Sequence, residues 1–349
     1  MVSLAEMKFK DLYIRVDDIF DSERVTARYS PQKINPKNGI LANMEVSYQY
    51  ESIMKSLVQT IMKDSRNSFS LDWDTFRLRV TKLEIGGGQE KWVCLRKLDR
   101  DVPNLNKLNF KEENVHMFRS WGNRPSGLVV VGGSTGAGKT TTSMSMLKEW
   151  SKIHGQVSFT IEDPIEYYMI GEINKDNGEP GGNYVFQTEV NETYTWKEGI
   201  KSALRWKPRY IFVGEVRTQE AAEGILRAAT SGHLAICTVH GGSIEETISG
   251  IIQNATNGPF GMNVDNARNL LADGILGIIH QEMNDEGIVK QKVLTASHNN
   301  KNDPIRSNIR NGNFSKLVSE IEKQSEKRET LHGMGKNNAA SQKHIEEWD

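Results

Sequence analysis

Residues 127–150, GLVVVGGSTGAGKTTTSMSMLKEW, limit what this chain can fold into more than any other stretch. Leu128-Val129-Val130-Val131 is a short β-branched run, with the length and chemistry of a strand buried on both faces. Gly133-Ser134-Thr135-Gly136-Ala137-Gly138-Lys139-Thr140 follows and fits G-x-x-x-x-G-K-[ST]. Behind it Met144, Leu147 and Trp150 recur at helical spacing. Strand, glycine loop and helix in that order form the context in which the motif carries weight. Glycines let the backbone turn tightly, so that successive N–H groups face an anion. The helix N-terminus adds partial positive charge at the same place. Lys139 is predicted to reach the β- and γ-phosphates of a nucleotide, and the Thr140 hydroxyl to ligate Mg²⁺. Gly133 through Thr141 are therefore the candidate nucleotide-binding residues. A chance match in an ordinary turn would lack the flanking strand and helix.

With 349 residues the chain has room for two domains. Its 44 basic and 45 acidic residues leave a net charge of −1, which gives no bulk argument for nucleic acid or an acidic membrane surface. Cys94 and Cys237 sit in apolar, strand-like surroundings and read as buried small hydrophobes. They imply no disulfide framework and suit a reducing compartment. The first residues lack the apolar core of a signal peptide. No apolar run approaches the roughly 18 residues of a membrane span. The expectation is a cytoplasmic protein whose role at a membrane, if it has one, goes through a partner.

Residues 1–105 read as a smaller α+β domain. Leu12, Ile14 and Val16 alternate with polar neighbours, as in a half-buried strand, and Val25, Ala27 and Tyr29 suggest a second. Tyr50–Lys63 has helical periodicity. Phe76–Ile85 and Lys91–Leu98 read as strands joined by Gly86-Gly87-Gly88, and they carry Arg77, Arg79 and Arg96. Residues 106–126 read as a linker with one short helix. From Gly127 strands and helices alternate, which marks a parallel α/β sheet. Strands are expected at Val157–Ile161, Tyr210–Val213 and Leu234–Val239, and a polar loop at Gly171–Asn183. Thr195 with Glu198, and Ser243 with Glu246, form capping boxes that open helices. Thr218–Thr230 is a further helix. Residues 264–283 read as a helix, 287–296 as a strand and 304–322 as a helix, before a polar tail at 323–349.

In an open α/β sheet, function gathers at the carboxyl ends of the strands. Four predicted strands end there in the glycine loop, in Glu162-Asp163-Pro164-Ile165-Glu166, in Glu215 and in His240. A single carboxylate after a strand is usually a solvated loop residue, and a lone histidine is usually structural. Together beside a phosphate loop they suit NTP hydrolysis. One acid would hold Mg²⁺ through water, another would polarise the attacking water, and a histidine would sense the γ-phosphate.

The segments GGSTGAGKTTT, FTIEDPIEY (Phe159–Tyr167), IKSALRWKPRYIFVGEVR (Ile200–Arg217) and TSGHLAICTVHGGS (Thr230–Ser243) resemble, in order and spacing, four boxes of the type IV pilus and type IV secretion ATPases. KDLYIRV (Lys10–Val16) and FRLRV (Phe76–Val80) resemble strands of that family's first domain. The run Ala203–Arg209 leans towards the DotB/TraJ branch, with PilT-type retraction motors next to it. The resemblance implies an α/β fold: a RecA-like P-loop NTPase domain behind a PAS-like N-terminal α+β domain. It implies that Glu166 is the general base and Glu215 the Walker B carboxylate near Mg²⁺. His233 and His240 would be the histidine-box residues, and Arg79 and Arg96 would approach the triphosphate. It further implies a homohexameric ring acting on inner-membrane secretion or pilus components. Ser134, Thr218 and Gly241 depart from the usual family residues. Two cysteines cannot build the four-cysteine zinc motif of many pilus-assembly members. The glycine loop alone also fits a RecA-like nucleic-acid motor, which would need a basic, aromatic-bearing path, or a small-molecule phosphotransferase.

Overall fold

Alternating side chains build the first part of the protein. In the computed structural model the described residues are 3–21, 24–32, 41–284, 288–297, 300 and 302–337. The chain divides into two units, Met1–Asp101 with Asp163–Tyr168, and Val102–Glu162 with Met169–Asp349. Residues 106–126, expected as a linker, thus belong to the second unit. The end of the predicted tail, 338–349, lies outside the described residues. Among the described residues no helix is long and apolar enough to cross a membrane.

The first unit contains β1 (Phe9–Arg15), α1 (Asp17–Asp21), β2 (Ala27–Pro31), β3 (Met44–Glu45), α2 (Glu51–Ile61), β4 (Ser68–Trp73), β5 (Phe76–Ile85) and β6 (Glu90–Leu98). Among the described residues its strands form a six-stranded sheet in the order β3-β2-β1-β6-β5-β4. β1, β4, β5 and β6 pair antiparallel with their neighbours. Leu78 and Val80 of β5 and Val93 and Leu95 of β6 are fully buried on one face, as period-2 patterning requires. They pack in one core with Met54, Leu57, Val58 and Ile61, the apolar stripe of α2. The opposite face carries the row Asp11, Arg96, Arg79 and Ser70, placed side by side by strand register.

The second unit contains α3 (Glu112–Trp121), β7 (Gly127–Gly133), α4 (Lys139–His154), β8 (Val157–Glu162), β9 (Tyr184–Glu189), α5 (Trp196–Trp206), β10 (Tyr210–Val213), α6 (Gln219–Thr230) and β11 (Leu234–His240). It continues with α7 (Ile244–Thr256), α8 (Val264–Gly274), β12 (Ile275–Met283), β13 (Val289–Thr295), α9 (Pro304–Arg310) and α10 (Leu317–Asn337). Among the described residues the sheet order is β13-β12-β7-β11-β10-β8-β9. Neighbours from β12 to β9 run parallel, and the edge pair β12–β13 is antiparallel. β7 is buried along its whole length, as a central parallel strand should be. Cys237, on the neighbouring β11, is fully buried, and burial pushes its thiol pKa up.

Several helix boundaries follow local chemistry. The Thr195 side chain accepts from the Glu198 N–H at 3.4 Å to open α5. Ser243 accepts from the Glu246 N–H at 3.2 Å to open α7, while the Glu246 carboxylate accepts from Gly242 N at 2.7 Å. The expected helix over 264–283 is corrected: α8 stops at Gly274 and β12 takes Ile275–Met283. An apolar run of that length has no periodicity to separate strand from helix. Parallel pairing with β7 decides it. The expected helix over 304–322 is two helices, α9 and α10, separated at Gly312. The polar stretch after Gly171 closes on itself. Asn183 bonds the N–H and carbonyl of Ile173 at 3.0 and 2.8 Å, and the chain then enters β9, which periodicity does not reveal.

Trp150 of α4 is the anchor between α3, α4 and β10. It is fully buried, donates from Nε1 to the Phe118 carbonyl at 2.7 Å and packs 5.5 Å from the Tyr210 ring. Gly122 leaves room for it, since a Cβ there would fall 2.4 Å from the indole. Trp150→Ala is expected to destabilise the second unit by roughly 3–5 kcal/mol. The check is the urea midpoint of its unfolding transition; an unchanged midpoint would contradict this packing role.

Candidate functional site

The glycine loop runs from the end of β7 into the first turn of α4. Ser134, Thr135 and Gly136 are exposed, and the Ala137 N–H donates to the Ser134 carbonyl at 3.2 Å. Gly138 caps α4 at φ 80°, a left-handed conformation that a side chain would strain. Lys139 Nζ lies over the loop, donating to the carbonyls of Gly133 at 3.0 Å and Ser134 at 2.9 Å. A Cβ placed on Gly136 would meet no atom within 4 Å, so there is open space beside the loop. Thr140 and Thr141 are half-buried on the first turn of α4. These features fit a polyphosphate: room, a cation on a mobile stem, and a helix N-terminus aimed at the same place. Among the described residues no cluster of three or more His, Cys, Asp or Glu is arranged to hold a metal ion.

Strand register brings other predicted residues to this edge of the second unit. His240 ends β11 opposite Gly133 and is exposed. Glu215 lies just beyond β10. Its backbone is held by the Val216 N–H donating to Thr238 O at 2.9 Å and by the Thr238 hydroxyl donating to Gly214 O. Its carboxylate is partly exposed and lies 3.7 Å from the Arg217 guanidinium. His233 does not join them. It precedes β11, where its carbonyl accepts from Gly127 N at 3.1 Å, so the strand residues Leu234–Val239 separate it from His240. That is roughly 20 Å at the rise of a β-strand. Burial holds its imidazole below the ordinary histidine pKa.

Two residues at the edge went unassigned in sequence reasoning. Glu162, at the tip of β8, is 2% exposed and accepts from the Thr160 hydroxyl at 2.6 Å and Gln187 Nε2 at 3.0 Å. Its partner Gln187 lies on β9. Gln281, at the tip of β12, is fully buried under the loop. The β-branched Ile275, Ile278 and Ile279 were the available signal that this segment is a strand.

Glu166 and the arginines sit in the first unit. The segment Asp163–Tyr168 crosses the face of its sheet opposite the α2 core. Ser70 Oγ donates to the Ile165 carbonyl at 2.5 Å and Arg77 Nε to the same oxygen at 3.2 Å. The Tyr168 N–H donates to Arg100 O at 3.2 Å. Arg77, between this segment and the sheet, is 7% exposed. Within this frame Glu166 Oε1 lies 3.2 Å from Arg79 Nη2. Arg96 stands opposite Arg79 in register, but its Nε donates to Asp11 at 2.7 Å. The structure thus pairs Glu166 with Arg79, and Arg96 with Asp11.

The sequence model of a family described as Type II/IV secretion system protein matches residues 29–344. The chain is 28% identical over 254 residues to the type II secretion system protein E of Pseudomonas aeruginosa, covering 72% of this chain and 45% of that relative. It is 28% identical over 246 residues to the type IV pilus assembly ATPase PilB of Thermus thermophilus, covering 68% of this chain and 26% of PilB. It therefore spans less than half the length of these curated relatives. Among solved structures, the Legionella pneumophila ATPase DotB superposes with a TM-score of 0.66 at 18% identity, covering 91% of this chain and 85% of DotB. The pilus retraction motor PilT with bound ADP superposes with a TM-score of 0.65 at 25% identity, covering 90% and 86%. The fold is accordingly α/β, a RecA-like P-loop domain with a smaller PAS-like N-terminal α+β domain.

Proposed function

Because the chain belongs to the Type II/IV secretion system protein family, we propose that it is an ATP-hydrolysing motor of a type IV secretion or conjugative transfer system. The observation that carries this reading is the glycine loop with Lys139 at the head of α4, flanked on one sheet edge by Glu215 and His240. In this reading the loop N–H groups and Lys139 bind and orient the phosphates of ATP, and Thr140 and Glu215 serve Mg²⁺. Mg²⁺ would supply charge neutralisation for the transferred phosphoryl group. Glu166 takes the proton of the attacking water, and Arg79 fixes the orientation of that carboxylate. His240 reads the γ-phosphate end of the site. Arg96 adds a second cation from the same sheet face as Arg79.

The motor works as a homohexameric ring on the cytoplasmic face of the inner membrane, held there by a protein partner. Domain rearrangement on turnover converts hydrolysis into force on that partner. Purified protein should release phosphate from ATP only with Mg²⁺ and should form closed rings visible by negative-stain microscopy. Robust turnover by a monomer-sized species would sink the ring. Strong stimulation by single-stranded DNA would point instead to a nucleic-acid motor.

A pilus retraction motor is the second reading, favoured by the 25% identity to PilT across 90% of the chain. Affinity purification of the membrane partner separates the two, since secretion components support the first and a pilus platform protein the second.

A further inference from the structure

Gln281 is a buried amide with both ends used. Its side chain is fully buried at the tip of β12. Nε2 donates to the carbonyl of Ala137 inside the glycine loop. Oε1 accepts from the Thr142 hydroxyl on α4 at 2.9 Å. The orientation of the amide is unambiguous, because a carbonyl oxygen can only accept. The backbone of the same residue closes in below the loop: a Cβ on Gly133 would fall 2.3 Å from the Gln281 carbonyl oxygen.

A trans peptide is planar, with its C=O and N–H pointing to opposite sides. Pinning the Ala137 oxygen towards Gln281 therefore turns the Gly138 N–H away from Gln281. The cradle of such a loop is made of N–H groups aimed at phosphate oxygens. We propose that Gln281 is the positioning residue of the nucleotide loop. It sets the 137–138 peptide in its phosphate-accepting orientation and ties that peptide to the first turn of α4 through Thr142. The proposal rests on the reading of the loop as a nucleotide site. It adds that the grip on the β-phosphate is set from a strand about 140 residues further along the chain, by a group that never touches the ligand.

Left without its donor, the Ala137 carbonyl is an unpaired buried acceptor, and the peptide gains freedom to rotate. Gln281→Met keeps the volume and removes both hydrogen bonds. It is expected to weaken ADP binding by roughly 10- to 100-fold, the range that losing one buried hydrogen bond spans. Gln281→Glu separates positioning from packing. Burial favours its neutral acid form, which retains one O–H donor for the Ala137 carbonyl; its carboxylate has none.

The test is isothermal titration of the full chain with ADP at pH 6 and pH 8.5, each variant compared with wild type at the same pH. Gln281→Glu should bind within about threefold of wild type at pH 6 and fall towards the Gln281→Met affinity at pH 8.5, as its donor is lost. Wild-type affinity in Gln281→Met, or equal losses in both variants at both pH values, would overturn the positioning role. Absence of ADP binding by wild type would instead overturn the reading of the loop itself.

Discussion

Lys139→Ala is expected to lower ATP turnover by about a hundred- to a thousandfold, the usual cost of removing one preorganised charge-stabilising donor. The lysine is the cation that the loop holds in reserve. Its ammonium bonds the carbonyls of Gly133 and Ser134 at 3.0 and 2.9 Å, so it already lies over the cradle. Moving to phosphate oxygens brings the ammonium against ionised acceptors, which adds Coulombic attraction between opposite charges to hydrogen bonds that are already charge-assisted. Alanine removes the charge and leaves the helix N-terminus as the remaining attraction. Affinity for ATP should therefore fall together with turnover, as equilibrium binding of a fluorescent ATP analogue would show. Wild-type affinity in this variant would mean that the phosphates do not sit at α4. The substitution places a good helix former on the half-buried first turn of α4, so the urea midpoint should stay close to wild type, and loss of function without loss of fold is the expected pair of results.

Glu166→Gln should do the opposite to binding. Loss of a general base costs about a hundred- to ten-thousandfold in rate, while the loop that grips the phosphates is untouched. ATP should remain bound and turnover should stop, which single-turnover phosphate release measured beside equilibrium binding would separate. The amide cannot take a proton from water, yet it keeps the size of the carboxylate and can still accept a hydrogen bond from Arg79. Fast steady-state hydrolysis by this variant would remove Glu166 from the role of base and direct attention to Glu162. That second acid of the same run is buried and held by Thr160 and Gln187. Because Arg79 holds Glu166 at 3.2 Å, Arg79→Ala would also bear on the rate, through a carboxylate no longer fixed in place.

Much of this was legible in the residues. A strand, a glycine loop and a helix follow one another within about thirty residues, and each is set by neighbours a few positions away. The caps at Thr195 and Ser243 are likewise local, since the donor and acceptor are three residues apart. Alternation along β5 and β6 separates the core face of the first sheet from the face that carries its arginines. The separation of His233 from His240 was legible too: the strand expected at Leu234–Val239 runs between them, and β11 holds apart the two residues that the resemblance grouped in one box.

What the sequence determined by itself is therefore the chemistry that short stretches can specify: a phosphate-type loop, the acids and histidines after strands, and the helix ends. Tertiary structure alone decided which distant residues share a place. It grouped Asp163–Tyr168 with the first unit, through bonds from Ser70 and Arg77 to a carbonyl 95 and 88 positions away. It also made a strand of Ile275–Met283, which brought Gln281 under the loop, 139 positions from Thr142. The physical reason is the same in both cases. A run with no periodicity, or a loop with several donors in reach, has near-equal local alternatives, and the choice between them falls to sheet pairing and buried hydrogen bonds formed with residues far away in the chain.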